Sequence, residues 1–94
     1  MMARRVTLFA QLKCSKMAQT TLVAAHLPEH IRLTRAVAGC ISFEVQKSAD
    51  PLVWDVVEVF SNRAAFEAHQ ARAAASAWGQ ATKGIERHYV ITED

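Results

Sequence analysis

The sequence predicts an α+β fold of the ferredoxin-like kind, βαββαβ, with an antiparallel sheet covered by helices on one face. Three observations lead there. Val6, Leu8, Ala10, Leu12 and Cys14 alternate with Thr7, Phe9, Gln11 and Lys13, the period of two that marks a strand. Two further runs, Cys40 to Lys47 and Leu52 to Phe60, are joined by "SADP", Ser48 to Pro51, which is turn chemistry. Helical stretches separate the first strand from this hairpin and the hairpin from a last strand, the split βαβ order.

Each element follows from local chemistry. Arg5 to Cys14 is the first strand, and Ser15 is placed to cap the helix after it. Met17, Thr21, Ala24, Leu27, Ile31 and Ala38 fall near one face of that helix. Pro28 removes a backbone donor within it, so a kink or short break is expected near Leu27. Gly39 ends the helical region where a positive φ suits glycine. Ile41, Phe43 and Val45 are expected on one face of the second strand. Ser61 or Asn62 caps the next helix, Arg63 to Arg72. "AAASAWGQATKG" is a further short helix fraying at Gly84, and Arg87 to Thr92 is the last strand.

The chain has 94 residues, enough for a single domain over 1–94. It is 51% hydrophobic and 21% charged, which suits a folded, water-soluble protein. A net charge of +2 with scattered basic residues offers no field for nucleic acid. RNA-binding domains of the same element order carry an R/K-G-F-G-F-type strand, and "CISFEVQK" and "LVWDVVEVF" lack it. No apolar run approaches the roughly 18 residues of a membrane span. Thr7 and Gln11 interrupt any signal-like apolar core near the start, so a cytoplasmic protein is expected. Cys14 and Cys40 are isolated, as expected of free thiols in a reducing compartment.

The third strand speaks to function. Leu52, Trp54, Val56, Glu58 and Phe60 share one face, and Val53, Asp55, Val57 and Val59 share the other. Both faces are mostly apolar, yet one helix layer covers only one. A second sheet packed on the bare face would cover the other, which predicts a homodimer with sheet-to-sheet packing. Glu58 falls on the face of Trp54 and Phe60, so it is expected to be buried. A buried carboxylate needs a partner or a proton. His69 shares a helix side with Phe66 and is the candidate partner or base. Trp54, Phe60, Phe66 and Trp78 are candidate walls of a flat pocket.

Other motifs carry less. His26 and His30 stand at i, i+4, but Leu27 occupies the position where the zinc-protease pattern needs Glu, so they are expected as a solvated pair. His88 has no visible partner. No phosphate loop, G-x-S-x-G or zinc spacing is present, and no metal is expected.

Gly39-Cys40-Ile41 with Phe43-Glu44, the Asp50-Pro51 turn, Glu58-x-Phe60, and the Ala-Phe-x-Ala-His helix from Ala65 to His69 together resemble the antibiotic biosynthesis monooxygenase (quinol monooxygenase-like) family from Val6 to Ile91. The resemblance implies a dimeric α/β barrel. It also implies oxidation of a quinol or polycyclic, anthrone-like phenol by O₂ without a cofactor, and makes the Glu58, Phe60 and His69 arrangement a pocket wall; Glu58 or His69 is the candidate catalytic base. A non-catalytic dimeric module binding small aromatic ligands, or serving in stress, is the alternative. Phe60 stands where many members have Trp, and Val37-Ala38-Gly39-Cys40 replaces the usual E-P-G-C. Ser76 to Thr82 lacks the histidine by which haem-degrading relatives hold iron, so no haem is expected.

Overall fold

In a computed structural model, residues 4–94 are described. The reading of the start as no leader falls in part on residues 1–3, outside the described residues. The elements are β1 (Val6–Lys13), α1 (Met17–Arg35), β2 (Cys40–Lys47), β3 (Val53–Phe60), α2 (Arg63–Ala75), α3 (Ala77–Ala81) and β4 (Glu86–Glu93). They form one antiparallel sheet of order β2-β3-β1-β4, with the helices on one face. This is the ferredoxin-like architecture expected from the sequence. Among the described residues, no helix is long and apolar enough to cross a membrane.

The inner face is the one predicted for β1 and β3. Val6, Leu8, Leu12 and Cys14 are buried with Trp54, Val56, Glu58 and Phe60. β2 departs from simple alternation. Cys40 pairs with Phe60 but Ser42 pairs with Val59, so the strand carries one extra residue. That bulge throws Ile41 outward while Phe43 and Val45 stay inside. Ile41 therefore does not share their face.

Helix α1 presents a different stripe from the expected one. Thr20, Val23, His30 and Thr34 are buried, with Leu27 and Ile31 packed at the edge, while Met17, Thr21 and Ala24 are exposed. The helix also runs unbroken through Pro28. Pro28 lies on the exposed side, where a carbonyl left without its helical donor can turn to water. The capping role of Ser15 is reversed: its N–H and hydroxyl both donate to the Gln19 side chain, and Lys16 holds the cap position. Asn62, not Ser61, caps α2, its Oδ1 accepting from the Ala65 N–H at 2.8 Å.

Between α1 and β2 the chain turns at Gly39, with φ of 90°. A Cβ there would meet the Ala65 methyl at 2.7 Å, so both conformation and space require glycine. This close approach draws the start of α2 onto the β2–β3 end of the sheet. Asp50 shapes the β2–β3 turn, its carboxylate accepting from the Leu52 N–H at 2.9 Å. Arg35 donates to the Phe43 carbonyl, tying the end of α1 to β2.

Candidate functional site

Glu58 projects from the inner face of β3, and His69 comes down from α2 to meet it. They are 7% and 2% exposed. Their nearest atoms, Glu58 Oε2 and His69 Nε2, are 3.7 Å apart. That is too long for a hydrogen bond, so the two side chains face each other in a buried site without a direct bond. Glu58 Oε1 is buried with no hydrogen-bond partner. A buried acceptor left unmade costs about 1–3 kcal/mol, so this atom is held at some expense to stability.

A cavity of about 550 Å³ opens in front of the pair, between sheet and helices. Leu8, Ala10 and Leu12 of β1 and Val56 of β3 form its sheet side. Phe43, His30 and Trp78 close the buried end. Gln70, Gln80, Lys83, Arg87 and Tyr89 stand at the exposed end. The cavity's sheet side is apolar and its exposed end polar, and its volume lies in the usual range of a small-molecule site.

Of the residues expected at a site, the structure brings Glu58, His69 and Trp78 to this cavity. Trp54, Phe60 and Phe66 do not line it. Phe60 lies behind His69, its ring stacked on the imidazole with centroids 4.9 Å apart. Phe66 packs edge-on against Phe60. Trp54 sits at the other end of β3, under the Lys47 ammonium, with its indole N–H buried and unpartnered. Leu12, its register partner on β1, does line the cavity, so the wall runs along β1 at this level and leaves Trp54 to its side.

His30 and Phe43 were missed as site residues. His30 is buried, not solvated, and lies parallel on Trp78 with centroids 4.4 Å apart and planes within 1°. Phe43 meets it edge-on at 5.3 Å. His26 stays half-buried, so the i, i+4 pair is split between environments. Val23, His30 and Thr34 stand at helical spacing, a stripe that competes with Met17, Thr21 and Ala24. His88 also has a partner, the Glu86 carboxylate on the outer face. Among the described residues, no group of three or more His, Cys, Asp or Glu side chains is placed to hold a metal ion.

Burial pushes the His30 imidazole down from its ordinary 6.5 to about 4, with smaller contributions from the His69 and Arg87 charges. The unfolded chain therefore binds a proton at His30 that the folded chain rejects between those values. Stability should rise with pH across this window and be lost as pH falls from 6.5 toward 4. Thermal melts over that range should show a steeper acid loss in the wild type than in His30→Phe, which retains a ring against Trp78. Parallel slopes would show that His30 does not carry the effect.

Comparisons with known proteins bear on the family and the fold. The family model for antibiotic biosynthesis monooxygenase matches residues 5–81. The chain belongs to the antibiotic biosynthesis monooxygenase family. Solved structures resemble the antibiotic biosynthesis monooxygenase chain over nearly its full length. It is similar to protein SO0527 from Shewanella oneidensis, with 27% identity, a TM-score of 0.76, and coverage of 97% of this chain and 91% of that one. It is similar to MupZ from Pseudomonas fluorescens, with 15% identity, a TM-score of 0.79, and coverage of 97% and 69%. It is also similar to Rv0793 from Mycobacterium tuberculosis, with 22% identity, a TM-score of 0.70, and coverage of 96% and 92%. The last two, at their identities, attest the fold alone. No curated protein matches the sequence.

Proposed function

We propose that this protein is a cytoplasmic, cofactor-independent monooxygenase that oxidises a quinol or a polycyclic, anthrone-like phenol with O₂. The reading rests above all on Glu58, a buried carboxyl with one oxygen unpartnered, whose side chain lines the cavity together with His30, Phe43 and Trp78. A substrate O–H or acidic C–H would supply the missing donor.

The chemistry follows from the pair. Glu58, with His69 beside it, takes a proton from the activated CH₂ of an anthrone-like substrate. The carbanion passes one electron to O₂, and the radical and superoxide combine at that carbon to a peroxide anion. The proton held by the pair returns to the outer oxygen. Loss of the second C–H proton then forms the carbonyl and expels hydroxide, which leaves as water with that proton. One oxygen atom ends in the product and one in water. Apolar walls from Leu8, Leu12 and Val56 keep bulk water from the anion.

Oxygen uptake with an anthrone or menadiol substrate tests the reading. Uptake matched to product formation supports it. Saturable binding of the same molecules with no uptake would replace it with the ligand-binding reading.

Members of the family commonly form dimers, and we propose a homodimer through the outer sheet face. Val57, Phe9 and Val90 stand in register across β3, β1 and β4. Phe9 is 51% and Val90 62% exposed, so an apolar row crosses a face no helix covers. Light scattering and native mass spectrometry at micromolar concentration should give about twice the 10.4 kDa chain mass. Phe9→Lys should shift it toward monomer. Monomer alone for the wild type in both measurements would end the proposal.

A further inference from the structure

The exposed end of the cavity carries two cations and no carboxylate. Lys83 follows α3, and Arg87 opens β4 on its inner face, opposite Leu12. Among the described residues, neither forms a salt bridge. The Arg87 guanidinium is held in place by neutral acceptors: Nη1 donates to the Thr82 and Ile85 carbonyls at 3.0 and 3.3 Å, and Nη2 to Thr82 Oγ1 at 2.6 Å. Thr82 itself is fully buried, so the anchor is rigid while the positive charge stays uncompensated. Its field reaches inward, since it helps hold His30 neutral. At the buried end, the cavity's carboxylate, Glu58, already has His69 beside it. The cavity is therefore polarised, with a base at the buried end and net positive charge at the mouth.

We infer, building on the function proposed above, that the substrate is an aromatic acid, its rings between Trp78 and the sheet and its carboxylate at the mouth beside Lys83 and Arg87. Two fixed or nearby cations over low-dielectric walls favour an anion there. Because the Arg87 fork is engaged by Thr82 and Ile85, the attraction is mainly that of a point charge, and Lys83 supplies a movable donor. Gln70 and Gln80 add neutral hydrogen-bonding groups at the same rim.

A binding experiment separates this inference from the oxidation chemistry, because its probes have nothing to oxidise. Anthraquinone-2-carboxylate and anthraquinone-2-carboxamide are titrated against the full chain by calorimetry, with tryptophan fluorescence as a second readout. The carboxylate should bind about 10-fold tighter than the amide, as expected for charge-assisted contacts. Rising salt should narrow the gap. Lys83→Gln and Arg87→Gln should each reduce the preference about threefold while leaving amide affinity in place. Should Arg87→Gln fail to fold, Lys83→Gln alone carries the test. Equal affinities, a preference indifferent to the variants and to salt, or no binding of either probe would each overturn the inference. Preference for the acid without oxygen uptake from any substrate sinks the monooxygenase reading and leaves this one standing. Oxygen uptake with equal affinities does the reverse.

Discussion

Glu58→Gln should lower oxygen uptake with an anthrone-type substrate by about 100-fold or more, the usual range for losing a general base. The amide has nearly the same shape but takes no proton at working pH. Stability should respond in the opposite sense. In the wild type a carboxylate is buried with one oxygen unpartnered and the other 3.7 Å from His69. Removing that charge removes a desolvation cost, so the melting temperature of Glu58→Gln should hold or rise. Loss of activity without loss of stability is the pattern of a group kept for chemistry. His69→Asn should also depress the rate, and the double variant should be little worse than either single, because the two act as a unit. Rates within about twofold of wild type in both single variants would remove the pair from the mechanism.

Phe60→Ala should have the largest effect on stability. Phe60 is fully buried, stacked on His69 and edge-on to Phe66. Truncating such a ring costs about 3–5 kcal/mol, in a domain whose whole stability is about 5–15 kcal/mol. Urea denaturation should show the midpoint moving far to the left, and a loss under about 1 kcal/mol would contradict the packing described. The gentler Phe60→Leu separates support from contact. It should lower the oxidation rate, because His69 loses the surface that fixes its ring, while affinity for an aromatic ligand changes little. Trp78→Leu should instead weaken affinity, because Trp78 lines the cavity.

These two residues show how the sequence and the fold divide the problem. Strand periodicity is local: side chains alternate whatever lies beyond the strand. Placing Glu58 on one face with Trp54 and Phe60 therefore needed nothing but β3 itself, whereas which face the helices cover did not follow from the strand. The same logic held for β1, and the turn chemistry of Asp50 and the conformation of Gly39 are equally local. Capping and bulge details are not local in this sense. Gln19 reaching back to Ser15, and the extra residue that turns Ile41 outward, depend on small differences among neighbouring hydrogen bonds.

The sequence alone determined the element order, the alternating faces of β1 and β3, and the family resemblance, and it offered His69 as a candidate partner for Glu58. Only the tertiary structure decided the rotation of α1, which brings His30 onto Trp78 and leaves Met17 in water. The buried set Thr20, Val23, His30 and Thr34 is less apolar than the expected stripe, so the choice falls to the packing against the sheet and α3 rather than to apolar content. It alone also sorted the aromatics into wall and support. Phe60, Phe66 and Trp78 look alike in one dimension. Contact depends on where α2 and α3 close over the sheet, and that is a property of packed elements rather than of residue spacing.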